Sequence, residues 1–177
     1  MKQSVSRSSK FDGGSWLFLI TVVLFAVLVF LHLNVTQNFT WPILFGYRSE
    51  AVFDLWSLQH FVSGVFAGSI LIRLRLISSK QLLKFVSIVF LVALLWEVFE
   101  LFGEIGLFGQ AVSDWKLGYE HWANRFVGDI LLAVVGSLIA YNYNACWKIV
   151  LLPAVVWLVL NVTASDSMAI QRSLFGS

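Results

Sequence analysis

The chain has 177 residues, of which 59% are hydrophobic and only 12% are charged, and its formal net charge is +2. A soluble domain carries about 25% charged residues, and a small globule exposes too much surface to hide this deficit, so an ordinary water-soluble fold is excluded. The apolar segments are continuous and do not alternate with polar residues, which excludes a membrane β-barrel. We therefore predict an all-α, polytopic bundle of transmembrane helices.

The predicted elements begin with a polar tail over residues 1–15, followed by apolar runs of the length that a bilayer requires. No small-residue cleavage pattern follows the first run, so we expect a retained helix there and not a signal peptide. Pro153 lies inside the last run and predicts a kink. We expect a cytoplasmic tail (1–15) and a single membrane-embedded helical domain (16–177). About five spans are predicted, at 16–33, 55–76, 82–102, 122–141 and 147–162.

The basic residues predict the orientation of these spans. With the N-terminus inside, eight Lys and Arg residues fall on the inner side and four on the outer side. The positive-inside rule therefore favours an inner N-terminus and an outer C-terminus. In that orientation only Asp12 of the ten acidic residues lies on the inner side, and all three histidines lie in the outer half.

Three predicted spans carry ionisable or amide side chains at the same outer depth. Such groups at membrane depth usually face the protein interior or a water-filled cavity, so we expect one polar pocket open to the outer face. The candidates for its core, as catalytic or metal-binding groups, are His60, Glu97, Glu100 and Asp129. The candidates for ligand binding around them are Asp54, Asn124 and Arg125.

Helical spacing refines the pocket. Glu97 and Glu100 are three residues apart, and Glu104 continues their stripe if the helix persists. Arg125 and Asp129 are four residues apart and can pair. Small residues follow the polar ones along the same faces and predict a close approach of two helices. They are Gly64 and Gly68 after His60, and Ala133 and Gly136 after Asp129.

Three short motifs resemble those of VanZ-like and YjdF-like bacterial membrane proteins over residues 54–140. The run Asp54-Leu-Trp-Ser-Leu-Gln-His60-Phe-Val-Ser-Gly64 is similar to their Asp…His-Phe…Gly motif. Residues 96–100, Trp-Glu-Val-Phe-Glu, resemble the Trp-Glu…Glu motif of the YjdF-like members. Residues 129–136 resemble an Asp-x-x-x-Asn-x-x-Gly motif, with Ala133 in place of its Asn.

The resemblance implies a small multi-pass protein whose polar site opens to the outer face of a bacterial inner (plasma) membrane. VanZ itself is associated with glycopeptide resistance of the cell envelope. We therefore expect the pocket to bind or act on an envelope lipid or another polar ligand. The expected partners are membrane lipids and a homo-oligomer or membrane complex, and no nucleic acid.

The first interpretation of the pocket is structural. Arg125 could neutralise a nearby carboxylate and His60 could hydrogen-bond another, so that the buried charges only hold together the helices of a non-enzymatic subunit. With Asp54 included, however, four acids face one arginine and one histidine. Buried carboxylates without partners are unfavourable by several kcal/mol each, which weighs against this interpretation as the whole role.

The second interpretation is a metal site. One imidazole nitrogen and several carboxylate oxygens suit Zn²⁺, Mn²⁺ or Fe better than a soft thiolate metal. A divalent transition metal would remove the charge imbalance, and at the outer leaflet it could activate water against a lipid phosphate or ester.

A third interpretation needs no metal. His60 with Glu97 or Glu100 could act as acid and base, or the cavity could hold a polar head group with Arg125 on its phosphate. A small proton-coupled transporter is a further alternative, although five spans without an inverted repeat leave little room for alternating access. We expect His32 and His121 to be solvated loop or helix-end residues.

Overall fold

The computed structural model describes residues 13–77, 81–116 and 118–143 and the positions 148, 151–153, 155, 156 and 159. Most of these residues are helical, and four helices among them are long and apolar enough to cross a membrane. They support an integral membrane protein with an all-α fold. The helices are α1 (Gly13–Thr36), α2 (Leu55–Arg73), α3 (Leu82–Glu104), the short α4 (Gln110–Lys116), and α5 (Ile130–Asn142), which continues a π-helical segment (Asn124–Asp129).

The four long helices coincide with the first four predicted spans to within three residues at each end. The predicted fifth span, 147–162, falls mostly outside the described residues. Its described positions, which include Pro153, are helical. Most of the predicted tail, 1–15, and Cys146 also lie outside the described part of the chain.

The closest packing in the bundle is between α2 and α5. A Cβ on Gly64 would collide with the backbone of Ala133, and a Cβ on Gly136 would collide with the carbonyl oxygen of Phe61. The predicted small-residue faces are therefore confirmed, because only glycine lets the two backbones come this near. This crossing fixes the starts of both helices against each other.

A small parallel sheet precedes α2, in the segment that the sequence leaves as a connection between the first two predicted spans. Strand β1 (Ile43–Phe45) pairs with β2 (Ala51–Phe53), and the backbone N–H groups of Glu50 and Ala51 both donate to the Tyr47 carbonyl in the turn between them. Parallel strands usually need a longer crossover, so this pairing has no simple sequence signal. The turn carries Arg48 into the protein, where it is 3% exposed.

The π-helical segment Asn124–Asp129 replaces the first turn and a half of the predicted fourth span. Five of its six residues are buried, all except Val127. A π-helix widens the turn, and such segments often occur at functional sites. Here the segment holds both Arg125 and Asp129 inside the bundle.

Candidate functional site

All the polar candidates lie at one end of the bundle, where α1 and α3 end and where α2 and the π-helical segment begin. Helix α3 persists to Glu104, as the stripe of glutamates predicts. The ionisable groups at this end fall into three sets, which differ in their charge balance.

The first set is a network of two arginines and two glutamates, hereafter the balanced network: Arg48, Glu104, Glu120 and Arg125. Arg125 Nη2 donates to Glu104 Oε1 at 2.6 Å and to Glu120 Oε2 at 2.9 Å. Arg48 Nη2 pairs with Glu104 and lies 3.3 Å from Glu120 Oε2. All four side chains are buried, and their formal charges cancel.

Charge pairing keeps Glu120 and Arg48 of the balanced network ionised. Burial alone would raise the pKa of Glu120, but the guanidinium groups of Arg125 and Arg48 lower it to about 2. Burial would likewise lower the pKa of Arg48, whereas Glu120 and Glu104 raise it above its ordinary value. Each charge therefore depends on the others, as expected for a buried ionic network.

The second set is the pair of Lys116 and Glu100. Lys116 Nζ lies 2.7 Å from Glu100 Oε2, and Trp96 Nε1 donates to Glu100 Oε1 at 2.9 Å. Both oxygens of Glu100 thus have a partner. The lysine comes from the end of α4, next to Trp115, whose ring centroid is 5.5 Å from the ammonium.

The third set is His60, Glu97 and Asp129, hereafter the acidic trio. His60 Nδ1 lies 3.4 Å from Glu97 Oε1, and His60 Nε2 lies 3.4 Å from Asp129 Oδ2. Ser57 Oγ donates to Asp129 Oδ1 at 2.6 Å. Glu97 is 0% exposed, and its oxygens accept no hydrogen bond from any residue that the structure describes. Beyond His60, the basic group nearest to Glu97 among the described residues is Arg125, whose Nε is 3.9 Å away.

The structure places the remaining candidates around the trio. Asp54 caps α2 by accepting from the Ser57 backbone N–H at 2.9 Å, and Asn124 Nδ2 donates to the Val52 carbonyl at 3.0 Å. The predicted pairing of Arg125 with Asp129 is wrong. Arg125 points into the balanced network, because two glutamates on either side of it offer closer oxygens.

A polar recess opens beside these groups. It encloses about 200 Å³ including its open mouth, and its enclosed part has room for about one water molecule or small ion. Four of its eight lining residues are acidic. The lining residues are Arg48, Asp54, Trp56, His60, Glu100, Lys116, Glu120 and Asp129.

The expectation that His32 and His121 are solvated is wrong, since both are 0% exposed. His32 Nε2 bonds the Glu120 carbonyl at 3.1 Å. The Ala123 N–H donates to His121 Nδ1, so His121 Nε2 carries the hydrogen and donates to the Thr40 carbonyl at 3.1 Å. Both rings fasten loops to the end of the bundle.

Three residues of the site were not predicted as candidates: Arg48, Lys116 and Glu120. They lie in segments that the sequence indicates only as connections, and apart from Arg125, which lies five residues after Glu120, their partners are 16 to 72 residues away in the chain. The one available signal was the density of charged residues between Asp114 and Glu120 beside tryptophans.

No protein-family model matches the chain, and no curated protein or solved structure shows significant similarity to it. The fold and the site together define a helical membrane protein with a buried ionisable cluster beside a recess. Its function must be inferred from the charges and distances of that cluster.

Proposed function

We propose that the protein is an integral membrane protein whose recess binds a compact cationic group at the outer face of the membrane. The observation that carries the proposal is that most of the buried charges form ion pairs with each other, whereas two carboxylates are left over. Ion pairs account for three basic residues and three glutamates, which are Arg48, Arg125, Lys116, Glu100, Glu104 and Glu120. Among the basic groups of the described residues, Glu97 and Asp129 then face only His60 and the Nε edge of one guanidinium.

This surplus of carboxylates favours a cation over an anion. A buried carboxylate without a countercharge is unfavourable by several kcal/mol unless a proton or a bound cation neutralises it. Arg48 and Lys116 also line the recess, but carboxylates already engage both of them, so a phosphate would have to break those pairs. The size of the recess favours a small ion or the amine end of a larger ligand.

The cationic group could arrive on a free solute or on the head group of an envelope lipid. Purified protein should be melted in detergent with ethanolamine, with divalent cations or with inorganic phosphate, and in nanodiscs of phosphatidylethanolamine or phosphatidylglycerol. A cation at 100 times its Kd stabilises a fold by about 2.7 kcal/mol, which corresponds to a rise in Tm of about 5–10 °C. If the cationic group belongs to a lipid head group, the Tm should rise in nanodiscs of phosphatidylethanolamine and not in those of phosphatidylglycerol.

The matched variants are Glu97→Gln, which should abolish the rise, and Glu50→Gln, which removes an exposed acid and should preserve it. If phosphate stabilises the wild type and no cation does, the proposal is wrong. The same holds if the cation effect survives in Glu97→Gln.

A second, structural function is supported for the balanced network. Its charges cancel, and it joins the turn after β1, the end of α3 and the π-helical segment. We propose that these four residues hold the helix ends together and bind no ligand. The non-enzymatic, helix-holding interpretation then applies to this half of the cluster.

The proposed orientation has the N-terminus inside, with the recess on the outer face of a bacterial inner membrane, in keeping with the charge distribution and the VanZ/YjdF-like motifs. Single cysteines at Gln110 and Gln81, both exposed, test it in a Cys146→Ser background. An impermeant maleimide added to intact cells should label the Gln110→Cys protein, and should label Gln81→Cys only after permeabilisation. The reverse pattern would overturn the orientation.

A further inference from the structure

We infer that the cation is a divalent transition metal of the Zn²⁺, Mn²⁺ or Fe²⁺ type, held by His60, Glu97 and Asp129. The inference rests on the proposed function, because it names the ion that the recess takes. It also makes a claim of its own, since an amine and a metal require different geometry.

The donor atoms of the acidic trio lie close enough together to converge on one ion. Hydrogen bonds between nitrogen and oxygen span about 2.7–3.2 Å, and the two separations from His60 are longer, at 3.4 Å. Two ligands of a tetrahedral metal at about 2.0–2.1 Å lie about 3.4 Å apart. The separations to Glu97 and to Asp129 start from different ring nitrogens of His60, so only one of them can be the spacing of two ligands on a single ion. One donor atom from each of the three residues can nevertheless be chosen so that all lie within 4.8 Å of one another. The trio can therefore close on one ion if the carboxylate that faces the other ring nitrogen rotates towards it.

The donor atoms of the trio are free to bind. Glu97 has both oxygens buried without a hydrogen bond from the described residues. Asp129 receives the Ser57 hydroxyl on Oδ1, which leaves Oδ2 facing His60. A hydrogen bond of this kind from an outer residue orients a metal-binding carboxylate and strengthens metal binding.

The kinds of donor restrict the metal. One imidazole with two carboxylates suits Zn²⁺, Mn²⁺ and Fe²⁺, whereas Mg²⁺ and Ca²⁺ prefer oxygen ligands alone. A thiolate ligand is excluded, because Cys146 is the only cysteine of the chain and is not a member of the trio. Three protein ligands leave a coordination position for water, and His60 and Asp129 both line the recess from which water would enter.

A neighbouring set of oxygens is a weaker candidate. Glu97, Glu100 and Glu120 also have oxygens within 4.8 Å of one another. However, Glu100 is engaged by Lys116 and Glu120 by two arginines, so a metal there would have to displace three basic groups. The trio requires no such displacement.

The test is metal analysis of protein purified in detergent through a tag without histidine. We expect about one equivalent of transition metal per chain, removable by a chelator and restored by Zn²⁺ or Mn²⁺ titration. Glu97→Gln and Asp129→Asn should weaken metal binding by more than the 10–100-fold that loss of an outer partner causes. Glu50→Gln, which removes an exposed acid, is the matched control and should keep the metal.

Each result decides the inference. Wild-type protein that is metal-free and binds neither Zn²⁺, Mn²⁺ nor Fe²⁺ on titration would overturn it, whether or not the variants fold. If ethanolamine still stabilises that protein through Glu97, the cation proposal stands and only the metal is wrong. If neither binds, both are wrong. Loss of metal in Glu100→Gln but not in Asp129→Asn would move the site to the neighbouring glutamates.

Discussion

Replacing Gly64 with alanine should weaken ligand binding without touching any ligand. Gly64 lies one turn after His60 on α2 and faces Ala133, which lies one turn after Asp129. A Cβ at position 64 would stand 2.7 Å from the Cα of Ala133, whereas ordinary contacts begin at 3.4 Å. The carbonyl oxygen of Ala133 lies nearer still, and this obstacle is backbone that cannot rotate away, so the helices must separate by more than about 1 Å.

This separation is large for a metal site and modest for a helix bundle. Metal–ligand distances tolerate about ±0.2 Å, and the donors on His60 and Asp129 are 3.4 Å apart before the change. We therefore expect metal affinity to fall by about tenfold or more. Overpacking costs about 1–3 kcal/mol and the alanine returns about 1 kcal/mol of helix propensity, so the free energy of unfolding should fall by only about 1 kcal/mol.

Zn²⁺ titration and detergent melting of the Gly64→Ala protein measure both effects. The control is Gly13→Ala, since a Cβ there meets nothing within 4 Å. Gly68→Ala is intermediate, because its Cβ would lie 2.9 Å from the Cα of Ser137, one turn further from the site. Wild-type affinity and wild-type melting in Gly64→Ala would show that α2 and α5 do not cross at this distance.

The other predictions concern the paired charges. Arg125→Met leaves Glu104 and Glu120 with one arginine and should lower the free energy of unfolding by about 3–5 kcal/mol in denaturant titration; a loss below 1 kcal/mol would contradict the buried network. Glu120 has its pKa lowered to about 2 from an ordinary 4.5, so its stabilisation is complete above pH 4.5 and is lost as the pH falls towards 2. Melting across that range should show the loss, and Glu120→Gln should flatten it. Lys116→Ala frees Glu100 and removes a competing charge, so cation affinity should rise several-fold in titration; weaker binding would mean that Lys116 belongs to the ligand site.

The helices were predictable from the sequence because the membrane restricts the choice. A lipid-facing segment must pair its own backbone groups and must be about 20 residues long, so apolar runs alone locate α1, α2 and α3. The start of α2 had a local signal as well, since Asp54 and Ser57 form a capping box. The grouping of His60, Glu97 and Asp129 followed from their depth and spacing on these helices.

The rest of the site depends on contacts that leave no local trace. Nothing in the run 124–129 indicates a π-helix, which is supported by bonds from Arg125 to Glu104 and Glu120 on other segments. Arg48 comes from a turn between two strands whose parallel pairing is unusual for so short a connection. Local patterns therefore predicted which helices carry the site. They did not predict that its charges form a balanced network, a lysine–glutamate pair and an acidic trio.

The division of the buried charges assigns stability to the balanced network and ligand binding to the acidic trio. Buried ion pairs are often no more stable than apolar side chains of the same volume, so a bundle that needed only cohesion would gain by replacing the charges of the acidic trio. The balanced network already joins the helix ends, and the closest approach of its basic groups to the trio is the 3.9 Å between Arg125 Nε and Glu97. Glu97 and Asp129 are thus acids that packing does not require. Their burial is favourable only if a positively charged species, a proton or a cation, neutralises them, and the recess that Asp129 and His60 line is the route by which such a species would reach them.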